Sequence, residues 1–208
     1  MAWIVLLAYL GWLGLAFGWQ SWRQYRRTGD AGLRTFARVG SAQWWAKLLF
    51  IGALVIGAAG PAVDAAGLTG PGAVPALAAH PVASGAGLAL VAASIVATPI
   101  TQAALGASWR VGVDPDERTR LVTGGPFRLV RNPIFTVAAT LGLGVALAVP
   151  NVVSAAGLAL VIAAVQIQVR AVEEPYLLRV HGQAYRDYAA TAGRFLPGIG
   201  RLTSPAIG

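Results

Sequence analysis

All sixteen lysines and arginines of this chain fall in three stretches, 23–47, 110–131 and 170–201. Between and before them run apolar segments close to the roughly 20 residues that a bilayer-spanning helix needs. This alternation limits the chain to few architectures. With five crossings, all three basic stretches face one side of a membrane. The N-terminus, the 64–81 loop and the Pro150-Asn151 turn then face the other side and carry no Lys or Arg. Four or six crossings would scatter the basic residues over both faces. The positive-inside rule puts the N-terminus outside and the C-terminus in the cytoplasm. The expected fold class is all-α: a polytopic integral membrane protein of about five transmembrane helices, with a cytoplasmic C-terminal region.

Composition agrees with a membrane chain. It is 56% hydrophobic and 12% charged, about half the charge of a typical soluble domain. The absence of cysteine excludes thiolate nucleophiles and Cys-ligated metals, and two histidines leave no His-rich metal centre, so no metal site is expected. The net charge of +8 belongs with topology and anionic lipid headgroups, because no nucleic-acid recognition motif accompanies it. Fifteen of the sixteen basic residues are Arg. That bias, with abundant Ala, Gly and Val, suggests a bacterial inner-membrane protein.

The expected spans are 2–22, 44–63, 82–105, 134–149 and 152–169. The first has no basic leader and no small-residue cleavage site, so it reads as a retained helix. Its Gly14 and Gly18 form a GxxxG that offers another helix a close approach. Residues 23–43 read either as a basic loop or as a short interfacial helix with Leu33, Phe36, Ala37 and Gly40 on one face. Residues 60–81, rich in Gly and Pro, read as a loop. Pro99 interrupts the third span; the resulting kink is either structural only or opens a lateral cavity. The fourth and fifth spans, joined at Pro150-Asn151, are expected to pack as a close hairpin. The chain is expected to divide into an N-terminal three-helix membrane region, 1–105, and a second region, 106–208, made of a cytoplasmic loop, a helical hairpin and a C-terminal cytoplasmic segment.

Two polar segments carry most of the convergent chemistry. In the first, LVTGGPFRLVRNP, Gly124-Gly125-Pro126 makes a turn that can start a helix and expose backbone N–H groups to a carboxylate. Phe127 supplies an apolar face, and Arg128 and Arg131 follow at helical spacing. In the second, RAVEEPYLLRVHGQAYRDY, Glu173 and Glu174 end an apolar span. Ionisable groups there are costly unless paired or wet, and mark functional sites. Arg131 and Arg170 are the available partners. Tyr176, Tyr185 and Tyr188 add aromatic faces, and His181-Gly182 breaks the helix.

Taken together, GPFRLVRNP, then RAVEEPYLL one hairpin later, then HGQAYRDY and a late Pro197, resemble the isoprenylcysteine carboxyl methyltransferases and the related phospholipid methyltransferases, over residues 109–197. The resemblance implies an integral membrane methyltransferase that uses S-adenosylmethionine at the cytoplasmic face. The acceptor it implies is a lipophilic small molecule or lipid drawn from the surrounding membrane lipids. Carried over residue by residue, Gly125, Pro126, Phe127, Glu173, Glu174, Gly182, Tyr185 and Tyr188 are expected to bind the cofactor, and Gly124 and His181, their sequence neighbours, are added to that set. Arg131, Asn132 and Glu174 are the expected catalytic residues, with Arg131 orienting an anionic acceptor. Two departures stand out: Asn132 occupies a position where the family commonly has His, and no His precedes Leu121. An NADPH-dependent membrane reductase of the sterol-reductase type and a non-catalytic membrane scaffold are the alternatives.

Overall fold

The computed structural model describes residues 1–33, 37–70, 80–112 and 120–202. The apolar runs become helices: α1 (Ala2–Thr28), α2 (Ala42–Ala65), α3 (Pro81–Leu105), α4 (Pro133–Ala148) and α5 (Val152–His181). A short α6 (Gln183–Thr191) follows Gly182, whose φ of 53° stops α5. No strand forms among the described residues, only isolated bridges such as Val130 to Gly193. Helices α1, α2, α3 and α5 are long and apolar enough to cross a membrane, and α4 is a shorter apolar helix of 16 residues. At 1.5 Å per residue α4 covers about 24 Å, a little less than the hydrocarbon core. The protein is an all-α polytopic membrane protein.

Several boundaries differ from those expected. α1 continues six residues past Trp22, because Arg26 and Arg27 in its last turn stay exposed. Interfacial Lys and Arg side chains reach the headgroups without ending a helix. Of the two readings of residues 23–43, loop or interfacial helix, the described part of 29–41 is a loop. Gly29, Gly32 and Gly40 have φ of 75°, 71° and 80°, a left-handed conformation that no α-helix tolerates; Phe36 lies outside the described residues. Gly60 and Pro61, expected in a loop, lie inside α2, and the amide of Asn151 donates to the Gly60 carbonyl at 3.0 Å. The largest difference is in α5, which runs twelve residues beyond Val169 through a π-turn at Gln168–Glu173. Its 30 residues span about 45 Å, so its end projects beyond the hydrocarbon.

Small residues decide which helices touch. Gly14 and Gly18 face open space, so the expected GxxxG contact does not form within this chain. The close crossings occur elsewhere. A Cβ on Gly144 of α4 would lie 2.9 Å from the Gly87 carbonyl of α3, and one on Gly157 of α5 would lie 3.1 Å from the Gly57 backbone of α2. Helices without a hydrophobic drive toward each other pack where backbones can approach. Consequently α4 packs mainly on α3 and α5 mainly on α2, while α4 and α5 touch each other less. The hairpin exists as a turn but not as the principal packing pair.

The three basic stretches meet at one end of this bundle. Lys47 from the start of α2, Arg110 after α3 and Glu173 in α5 line one shared cavity. Residues from all three stretches thus contribute to one cavity.

Candidate active site

Residues 120–133 and the C-terminal segment 193–202 build the frame. Gly125, at φ 57°, turns the chain into a 3-10 turn, Gly125–Arg128, with Pro126 at its start and Phe127 buried. The chain after α6 folds back beside it. Arg131 N donates to the Gly193 carbonyl at 2.7 Å, and Gly193 N to the Leu129 carbonyl at 3.2 Å. Asn132 Nδ2 donates to the Arg194 carbonyl at 3.0 Å, and Thr136 Oγ1 to the Phe195 carbonyl at 2.8 Å. Residues 193–195 are thereby strapped to the first turn of α4.

Arg131 locks this strap from inside. One of its terminal nitrogens donates to the carbonyls of Ala189 (3.0 Å) and Ala192 (2.6 Å). The other donates to the Gly200 carbonyl (3.0 Å) and to Glu174 Oε1 (2.7 Å). Arg194 grips the same carboxylate in a fork, Nε to Oε1 at 2.8 Å and Nη2 to Oε2 at 3.0 Å. Such planar fork pairing is the strong form of a charged hydrogen bond. The Arg131 side chain is 1% exposed and that of Glu174 10%. Glu174 holds the Arg194 guanidinium still further above its already high pKa.

Above the frame lies a cavity of about 470 Å³. Its polar end is lined by Glu173, Tyr176, Tyr185, Tyr188 and Phe127, with Arg110 and Arg120 beside them. Glu173 is half-buried and accepts from Gln168 Nε2 at 3.1 Å. The Tyr185 and Tyr188 rings meet edge to face, 6.2 Å apart, and the Tyr188 hydroxyl donates to the Phe127 carbonyl at 2.7 Å. Burial pushes the Tyr185 hydroxyl up to about 12 and raises Tyr188 as well, so both stay neutral donors at physiological pH. The Arg110 guanidinium lies 5.8 Å from the Tyr176 ring centre and donates to its hydroxyl at 3.3 Å. The other end of the cavity runs between the helices and is apolar, lined by Trp12, Phe17, Phe50, Leu54 and Phe135.

The structure separates the sequence-derived candidates into two groups. Phe127, Glu173, Tyr185, Tyr188, Arg131 and Asn132 line the cavity. Gly124, Gly125 and Pro126 shape the turn below it, His181 and Gly182 form the α5–α6 junction, and none of these five is among the lining residues. Glu174 is not among them either; successive side chains on a helix point about 100° apart, and Glu174 faces the two arginines. Both terminal nitrogens of Arg131 are committed to protein acceptors. Arg170, expected beside the glutamates, is exposed and donates instead to Gln166 at 2.6 Å. Arg194 had no local signal, since it meets Glu174 across twenty residues of sequence. Arg110, Arg120 and Gln168 also carried no motif, although Arg110 and Gln168 sit near the ends of apolar spans, where polar groups mark functional sites.

The phospholipid methyltransferase family matches residues 82–184, from the start of α3 into α6. No curated protein and no solved structure matches the chain. The match covers about half of the chain and includes the first polar segment, the α4–α5 turn and the second polar segment as far as Ala184, with Tyr185 and Tyr188 just beyond it. Geometry and match agree on the same half of the molecule, and the chain belongs to the phospholipid methyltransferase family of membrane methyltransferases.

Proposed function

We propose that the protein transfers a methyl group from S-adenosylmethionine to a lipophilic acceptor that enters from the bilayer, at the cytoplasmic face. One observation carries this reading: a single cavity joins a carboxylate-and-aromatic end to an apolar arm lying among the membrane helices. Its volume falls within the roughly 300–1,000 Å³ of small-molecule sites. The lining also suits the cofactor chemically, with a carboxylate for hydroxyls or an ammonium group, and aromatic faces for a purine or a cation. S-adenosylmethionine supplies a methyl group already activated on sulfur, so the chain needs no covalent nucleophile and has to align the reactants and exclude water.

Glu173 accepts hydrogen bonds from the cofactor's hydroxyls or ammonium, and Phe127, Tyr185 and Tyr188 flank its base. Asn132, its amide nitrogen held by the Arg194 carbonyl, presents its oxygen to an N–H or O–H of the acceptor. Arg131, Glu174 and Arg194 are positioning residues that hold 131–132 and the C-terminal strap in register. Arg110 and Arg120 set the charge of the polar end. Residues 106–208 form the cofactor-binding region and residues 1–105 close it from the other side. Clustering of Lys47, Arg110, Arg120 and Arg131 at one cavity supports a cytoplasmic placement by the positive-inside rule.

Thermal unfolding of detergent-purified protein with S-adenosylhomocysteine, and separately with NADPH, tests the reading. Ligand at a hundred times its Kd adds about 2.7 kcal/mol to a folded state it alone binds. A saturable shift with S-adenosylhomocysteine, lost in Glu173→Gln, is the expected result. A shift with NADPH alone, or with neither in folded protein, overturns it.

A further inference from the structure

The apolar arm of the cavity is walled in part by residues outside the family match. Four rings follow one another along it: Trp12 to Phe17 (6.0 Å, 87°), Phe17 to Phe50 (6.5 Å, 71°) and Phe50 to Phe135 (6.5 Å, 74°). Three of the four belong to α1 and α2, before residue 82. These side chains need a fixed backbone to make a defined wall, and α1 is locally irregular there, with a π-turn at Gly14–Trp19. π-turns interrupt the regular hydrogen-bond ladder and recur at functional sites.

Two side chains of α3 hold that irregular segment. Gln102, buried, donates from Nε2 to the Ala16 carbonyl inside the π-turn at 2.8 Å. One turn earlier Thr98 accepts from Trp12 Nε1 at 2.7 Å and donates onward to the Ser94 carbonyl at 2.8 Å. Both bonds lie in a membrane helix, where an unsatisfied carbonyl or indole N–H is costly. Both anchors also line the cavity themselves.

We infer that α1 and α2, which precede the family-matched residues, select the acceptor's apolar chain, and that Gln102 of α3 is the positioning residue that sets this wall by clamping the π-turn of α1. The inference rests on the methyltransferase reading for the word acceptor, but its geometry can be tested apart from it. The occupant of the arm is the hydrocarbon part of a membrane lipid, because the arm is continuous with the polar end and lined by aromatic and aliphatic side chains.

The test uses the full chain reconstituted in phosphatidylethanolamine–phosphatidylglycerol vesicles, with a trace of phosphatidylethanolamine bearing a diazirine in one acyl chain. Photoadducts are mapped by mass spectrometry. Trp12 and Ala16 are only 4% and 2% exposed, so bulk lipid does not reach them, whereas Leu7 and Leu10 (65% and 48%) report the outer surface. Adducts at Trp12, Ala16, Phe17, Phe50 and Leu54 are expected in the unmodified protein. They should fall at least threefold in Gln102→Ala, with labelling of Leu7 and Leu10 and the stabilisation by S-adenosylhomocysteine unchanged. Thr98→Val, which removes the other anchor at nearly constant volume, should act in the same direction and replaces Gln102→Ala if that variant does not fold. Absence of adducts at Trp12, Ala16, Phe17, Phe50 and Leu54 in the unmodified protein, or an identical map in a folded variant, overturns the inference. If the map behaves as expected but S-adenosylhomocysteine gives no stabilisation, the wall stands and the methyltransferase reading falls.

Discussion

Replacing Glu174 by Gln separates framework from chemistry. The substitution keeps shape but removes the negative charge between two guanidiniums. Arg131 then stays buried, its side chain 1% exposed, with its charge uncompensated. Removing one partner of a buried pair costs about 3–5 kcal/mol. The three backbone carbonyls that remain on Arg131, those of Ala189, Ala192 and Gly200, offset part of that, so the lower end, about 3 kcal/mol, is expected. Arg194 is more exposed, at 16%, and contributes less. Thermal or denaturant unfolding in detergent measures the loss. Limited proteolysis should show the 193–202 segment cut first, since it is the part strapped to the cluster. The double variant Glu174→Gln/Arg194→Met should lose less than the sum of the single losses, because the second change removes one of the stranded cations. Affinity of the folded fraction for S-adenosylhomocysteine should be nearly unchanged, in contrast to Glu173→Gln. A stability loss below about 1 kcal/mol, or a cofactor affinity hit as hard as in Glu173→Gln, refutes the assignment of Glu174 to the frame.

Other expectations are narrower. Gly144→Ala places a Cβ 2.9 Å from Gly87 O and Val91 N and should destabilise by about 1–3 kcal/mol through overpacking, whereas Gly14→Ala, facing open space, should be neutral or slightly stabilising; equal unfolding temperatures for both would contradict the packing described. Tyr188→Phe loses the bond to the Phe127 carbonyl, at a cost of about 0.5–1.5 kcal/mol, read by the same unfolding assay together with weaker S-adenosylhomocysteine binding. The Tyr185 hydroxyl is raised to about 12 by burial, so the unfolded chain loses this proton first as pH rises past about 10. Its contribution to stability is therefore complete below pH 10 and declines toward pH 12. Tyr185→Phe should flatten part of that alkaline decline, and identical pH profiles for the two proteins would exclude this residue as its source.

Much of the architecture is written in local composition. Apolar length and the confinement of Lys and Arg to three stretches determine the apolar helices and gather the basic segments at one end, because the bilayer sorts residues by transfer energy and charge without reference to partners. The motif order around Phe127, Glu173 and Tyr185 likewise announces a methyltransferase half from sequence alone.

What sequence could not decide is relational. Glu173 and Glu174 are chemically identical neighbours; which one faces the cavity depends on the phase of α5, and the π-turn at Gln168–Glu173 alters the phase a regular helix would have. Arg194 becomes the fork partner of Glu174 only because the strap after α6 folds back beside Arg131. The same holds for the glycines: Gly14 and Gly18 match a packing motif and touch nothing, while Gly87 with Gly144 and Gly57 with Gly157 make the close crossings. Helix formation and insertion follow from a segment's own residues, but helix phase, crossing partners and the second half of a buried ion pair are set by distant parts of the chain, and only the tertiary structure brings those together.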